Sequence, residues 1–136
     1  MSAFIDHQND IENSMELQKA AIAVQSDLFR RGQIDVNARK LLGEKGIQGT
    51  TLFTPGVADM GDSFVLAALI AIAEYQEFSE ENDPYGEHDF GSVKVMGQKV
   101  FWKIDLYDTE LTYQSDRPYS PHHTRRVLTI MLPSEY

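Results

Sequence analysis

The sequence predicts an α+β domain, with two main helices packed on a mostly antiparallel sheet of four or five strands. Two observations predict it. Apolar residues recur at helical spacing in "SMELQKAAIAVQSDLFRRG" (14–32) and fill "FVLAALIAIA" (64–73), whereas from Asp89 onward the spacing drops to two and an apolar run closes the chain. With 136 residues there is room for one apolar core, so one domain is expected over 1–136, its residues 1–49 a helical N-terminal part and 50–136 the α+β core.

The first helix is expected from Ser14, a good N-cap, to Gly32, with Met15, Ile22 and Phe29 at intervals of seven and Leu17, Ala21, Val24 and Leu28 widening the apolar stripe. Arg30 and Arg31 suit the negative end of its dipole, and Gly32 suits the C′ position. A short helix is expected around Val36–Leu42, ended by Gly43. The β-branched "TTLFT" (50–54) reads as a strand, and "TPGV" after it as a turn on Pro55 and Gly56. A second helix is expected from Asp62 to Phe78; its first three turns lack a polar stripe, which implies enclosure on most sides.

"FGSVKVMGQKVFWKIDLYD" reads as a hairpin, one strand reaching Met96, a reversal at Gly97 and Gln98, and a second strand over Lys99–Tyr107. In its second arm Val100, Trp102, Ile104 and Leu106 share the face expected toward the helices, while Phe101, Lys103, Asp105 and Tyr107 share the other. "TELTY" (109–113) is a candidate short strand, and the Pro-containing "QSDRPYSPHH" a loop. "RRVLTIMLP" (125–133), apolar on both faces from Val127 to Leu132, reads as an inner strand closed by Pro133.

Composition excludes several functions. The chain has no cysteine, so disulfides, thiolate metal sites and a cysteine nucleophile are ruled out. Its net charge is −9, with six bases and eight acids in residues 1–60 and six bases and thirteen acids in residues 61–136. Such a field repels nucleic-acid phosphates and anionic lipid and attracts basic partners. The longest apolar run is too short for a bilayer span and the N-terminus lacks a signal-peptide pattern, so a cytoplasmic protein is expected. Neither a G-x-S-x-G elbow nor a phosphate-binding glycine loop occurs.

The chemistry-bearing residues gather around "NDPYGEHDFG" (82–91). Asp83 before Pro84 signals a turn, and Gly86 suits a positive φ. If residues 87–89 are extended, Glu87 and Asp89 face one way and His88 the other. Across the hairpin, Lys103, Asp105 and Asp108 can approach them, and Arg125 or Arg126 can hold an anion; carboxylates beside a base form an acid–base or ligand patch. The candidate ligand pocket is therefore Glu87, His88, Asp89, Lys103, Asp105 and Arg125, with His88, Asp89 and Asp105 as candidate catalytic groups. His88 with Asp89, Asp105, Asp108, His122 or His123 lacks any compact metal-binding spacing, so neither metal nor cofactor is expected. Glu74, Glu77, Glu80, Glu81 and Asp83, followed by Glu87 and Asp89, form a run without Lys or Arg that can present carboxylates to a basic partner.

The blocks "NDPYGEHDFG", "VFWKIDLYD" and "TRRVLTIMLPSEY" resemble an uncharacterised, mainly alphaproteobacterial family of domains of unknown function, often found on plasmids and other mobile DNA. The resemblance covers Thr50–Tyr136. It implies no reaction; its implied association with mobile DNA points to an accessory role in countering host defence. The first expectation is thus a small acidic binding protein that blocks or sequesters a component of a host-defence or nucleic-acid-processing system. The alternative is an enzyme or binder of a small anionic ligand at the His/Asp/Glu/Arg pocket.

Overall fold

The computed structural model describes residues 2–136, with side chains from residue 13 onward. Helices α1 (Ser2–Arg31), α2 (Val36–Lys45), α3 (Pro55–Ala58) and α4 (Asp62–Glu74) accompany strands β1 (Gln48–Phe53), β2 (Phe90–Val95), β3 (Gln98–Tyr107) and β4 (Arg125–Met131). The sheet order is β1-β4-β3-β2. Its β4–β3 and β3–β2 pairings are antiparallel and β1 lies parallel to β4, so the α+β expectation holds, with a mixed four-stranded sheet and β4 an inner strand.

Helix α1 begins well before Ser14, which lies in its interior and is not a cap. The preceding residues contain no proline or glycine to stop the helix. Only part of the expected stripe is buried: Ile22, Leu28 and Phe29 are in the core, but Met15, Leu17 and Val24 are 52%, 71% and 61% exposed. Thirty helical residues span about 45 Å, whereas the ten-residue β3 spans about 33 Å, so the sheet is too short to cover α1 along its length. Gly32 lacks a left-handed φ; its small size matters because a Cβ there would lie 2.5 Å from Leu42 of α2.

Asp35 caps α2, accepting the N–H groups of Asn37 (2.8 Å) and Ala38 (3.2 Å), and the helix passes through Gly43 to end at Gly46. The expected turn at "TPGV" is a helical turn, α3, with Pro55 in its first turn. Helix α4 ends at Glu74 rather than Phe78, because Tyr75 turns to an extended conformation. Its Ala68 and Ile72 are fully buried, yet Leu66 and Ile70 face solvent, which corrects the expected enclosure.

The hairpin reverses on Met96 and Gly97, one residue earlier than expected; both have positive φ, as a two-residue turn matched to strand twist requires. Val100, Trp102, Ile104 and Leu106 point to the helices and are buried, as the alternation predicts. Residues 109–113 form no strand; Asp108 gathers them into a turn by accepting the N–H groups of Thr112 and Tyr113. Trp102 is fully buried, with Tyr75 and Phe78 edge-on to its indole.

The C-terminus is tied to α3 by one carboxylate. Glu135 accepts from Thr54 Oγ1 (2.6 Å), Gly56 N (2.9 Å) and Leu132 N (2.9 Å). The Thr54 bond, followed by the backbone donors, holds its pKa below the ordinary 4.5. Since the folded pKa is depressed, the stabilisation is complete above 4.5 and is lost as the pH falls through the folded value. Glu135→Gln is therefore expected to lower the urea midpoint at pH 7, and the difference from wild type to vanish on acidification. A difference independent of pH would contradict this account.

Candidate functional site

The loop between α4 and β2 folds around Asp83. Its carboxylate accepts the N–H groups of Glu87 (3.2 Å) and His88 (3.3 Å), its carbonyl accepts Gly86 N–H (3.0 Å), and Gly86 has the expected positive φ. The Asp83 side chain is only 6% exposed, so this residue of the acidic run serves the loop and does not face a partner. Glu74, Glu77, Glu80 and Glu81 remain exposed.

His88 adopts a left-handed φ of 55°, a costly conformation for a non-glycine residue unless its surroundings hold it there. They do so from three sides. Its Nδ1 donates to Asp27 (2.9 Å), its Nε2 lies 3.7 Å from Asp83, and its ring stacks flat on Phe78 with centroids 3.8 Å apart. Asp27 also binds Arg30, which is 2% exposed, donates to the carbonyls of Ile72 (2.7 Å) and Tyr75 (3.1 Å), and lies over the rings of Trp102 and Phe78. His88 thus joins the acidic loop to α1.

On the other side of the chain, Glu87 and Asp89 line a cleft of about 250 Å³ with Asp105, Tyr107 and Gln114. Burial, followed by the charges of Asp89 and Asp83, pushes the Glu87 carboxyl above its ordinary value. Burial also raises Asp89, with Asp83 and Asp105 adding to the effect against a backbone hydrogen bond that lowers it. A cation entering the cleft relieves this crowding, whereas an anion adds to it.

The six expected pocket residues are therefore divided. Glu87, Asp89 and Asp105 meet in the cleft, and Lys103 stands beside it, 3.1 Å from Asp105. His88 is turned toward α1. Arg125, opposite Tyr107 in the strand register, donates to the carbonyls of Pro121 (3.4 Å) and Thr124 (3.1 Å) and does not line the cleft. Among the described residues, no group of three or more His, Asp or Glu side chains is placed to hold a metal ion, and no helix is long and apolar enough to cross a membrane.

A family model described as "Protein of unknown function (DUF3768)" matches residues 53–135. The chain belongs to this family. No curated protein and no solved structure matches it. The cleft residues and exposed acids lie inside the DUF3768 match, but Asp27 and Arg30, which brace the loop, precede it. Sequence reasoning missed these two as site residues. Arg30 nonetheless follows Ala23 and Ser26 at i+7 and i+4, spacing that puts it on the buried side of α1 and not at a solvated helix end.

Proposed function

We propose that this DUF3768 protein is a small acidic binding protein that engages a basic surface of another protein. By occupying that surface it blocks or sequesters a component of a host-defence or nucleic-acid-processing system in the cytoplasm. What supports this reading is the exposed set Glu74, Glu77, Glu80 and Glu81 together with a separate cleft walled by Glu87, Asp89 and Asp105, with no Lys or Arg in residues 74–89, although Lys94 and Lys99 share a groove with Glu74 and Glu77. The cleft lies below the roughly 300–1,000 Å³ of small-molecule pockets. Its size and sign suit a single basic side chain. The association with mobile DNA implied by the resemblance accords with a counter-defence role.

The test compares wild type with the variant Glu74→Lys/Glu77→Lys/Glu80→Lys/Glu81→Lys as bait in a host lysate. A basic protein retained by wild type at low salt, released at high salt and lost from the variant is the expected result, because acidic surfaces steer partners through a screened field. A partner held equally by both baits would overturn the reading. The alternative of an enzyme or small-ligand binder predicts the converse: an activity abolished by Asp105→Ala and indifferent to the four reversals.

A further inference from the structure

The sheet order β1-β4-β3-β2 leaves one edge of β1 and one edge of β2 without a strand partner among the described residues, and the two edges differ. At the β2 edge Lys94 stands opposite Lys99, both exposed, and such lysines discourage the addition of a strand. Strand β1, "QGTTLF", runs for six residues in continuous register and contains no charge and no proline. Thr54 N donates to the Ile130 carbonyl of β4 (3.1 Å), so alternation turns the N–H and C=O groups of Gly49, Thr51 and Phe53 away from β4. Among the described residues none of these groups has a backbone partner. Gly49, Thr50 and Leu52 are exposed, and a groove of about 700 Å³ runs between the edge and α2.

The two ends of the β1 edge differ in charge. Gln48 has Arg39 in the groove on one side and, as its register partner in β4, Arg125, whose Nη1 donates to the backbone carbonyls of Pro121 and Thr124. At the other end Thr54 holds the exposed Glu135 carboxylate on its hydroxyl (2.6 Å). We infer that the β1 edge receives the β1 of a second copy, antiparallel about a two-fold axis at Thr51. A two-fold contact requires a surface complementary to itself. This register pairs every outward backbone group: Gly49 lies opposite the second copy's Phe53, and Thr51 opposite the second copy's Thr51. On the other face Thr50 meets the second copy's Leu52. The arginine end of each strand then meets the Glu135 end of the other, whereas parallel pairing would set like ends together. Glu74 and Glu77 lie beside β2, at the far side of the sheet, so two chains of net charge −9 join away from them. The pairing is independent of the acidic-surface reading, since a dimer presents that surface twice.

Sedimentation of the purified chain from micromolar to millimolar concentration is expected to show a dimer in equilibrium with monomer, with amide exchange at Gly49, Thr51 and Phe53 slowing as the dimer fills. Leu52→Lys brings like charges to neighbouring positions across the seam. Thr51→Pro removes an outward donor at an edge, where proline is tolerated. Each is expected to raise the dimer dissociation constant about tenfold with the β3 shifts preserved, the loss that one or two hydrogen bonds or an unfavourable cross-strand pair represents. Arg125→Glu, which sets carboxylates against each other at both ends, is expected to weaken the dimer more at low salt than at high salt. A chain that stays monomeric at every concentration would overturn the proposal and leave the edge to a different protein. A dimer unaffected by all three substitutions would also overturn it, and shifts at Leu17 and Val24 would then place the contact on α1. Slow exchange of the three amides in the monomer would do the same, by showing that they are paired within one chain.

Discussion

Replacing Arg30 by alanine is expected to lower the free energy of unfolding by about 3–5 kcal/mol, the range for breaking a buried charged pair or emptying a large core position. Three contributions are lost together. The guanidinium joins α1 to the end of α4 through the Ile72 and Tyr75 carbonyls, neutralises Asp27, and covers the faces of Trp102 and Phe78. Without it, Asp27 keeps only His88, and the buried indole loses the cation above it. Burial lowers the Arg30 pKa, against the pull of Asp27. Arg30→Lys is expected to recover less than half of the loss, since one ammonium cannot span Asp27 and two carbonyls while lying flat on the rings. Urea unfolding followed by the single tryptophan measures both variants. A loss under about 1 kcal/mol for Arg30→Ala, the level of an exposed pair, would show that the cluster is peripheral to stability.

The same cluster shows where sequence reasoning stops. Alternation along residues 98–107 reports contacts between immediate strand neighbours, so the inward face of β3 was legible; His88 does part from Glu87 and Asp89, but through a left-handed φ of 55° and not through the extended backbone expected there. The Asp83–Pro84 turn was legible too, because its chemistry is local. What His88 reaches was not. Asp27 lies in α1, and no spacing rule connects a loop to a helix so distant in the chain. Periodicity likewise marks an apolar side of α1 but not which part of it the rest of the fold covers: Leu17 and Val24 are exposed, although Ile22, Ala23 and Ser26 on either side of Val24 are buried. The apolar pattern of α4 continues through Tyr75 and Phe78 because both rings pack on Trp102 from an extended segment, which imitates another helical turn. The parallel pairing of β1 with β4 arises from tertiary closure, for which the strand sequences carry no register signal.

Arg126 presents the opposite case, and Arg126→Met is expected to stabilise the protein by about 1–4 kcal/mol, as when buried charges are exchanged for apolar residues of similar volume. The side chain is fully buried between β4 and α1. Its Nε reaches only Ser26 Oγ at 3.4 Å, and neither Nη has a hydrogen-bond partner among the described residues. Among the described residues no carboxylate offsets the desolvation, which pushes its pKa down to about 10. A methionine keeps most of the unbranched stem and removes the charge. The sign of the pH dependence follows from the depressed folded value: below about 10 the folded state holds a charge it disfavours, and above it that charge is released more readily than in the unfolded chain. The advantage of Arg126→Met over wild type is thus expected to be full at pH 7 and to shrink as the pH rises through about 10. Urea midpoints for the two proteins at both pH values measure it. A methionine variant less stable than wild type at pH 7 would show that the guanidinium contributes more to the fold than its burial costs, and would place Arg126 with Arg30 among the charges that hold α1 to the sheet.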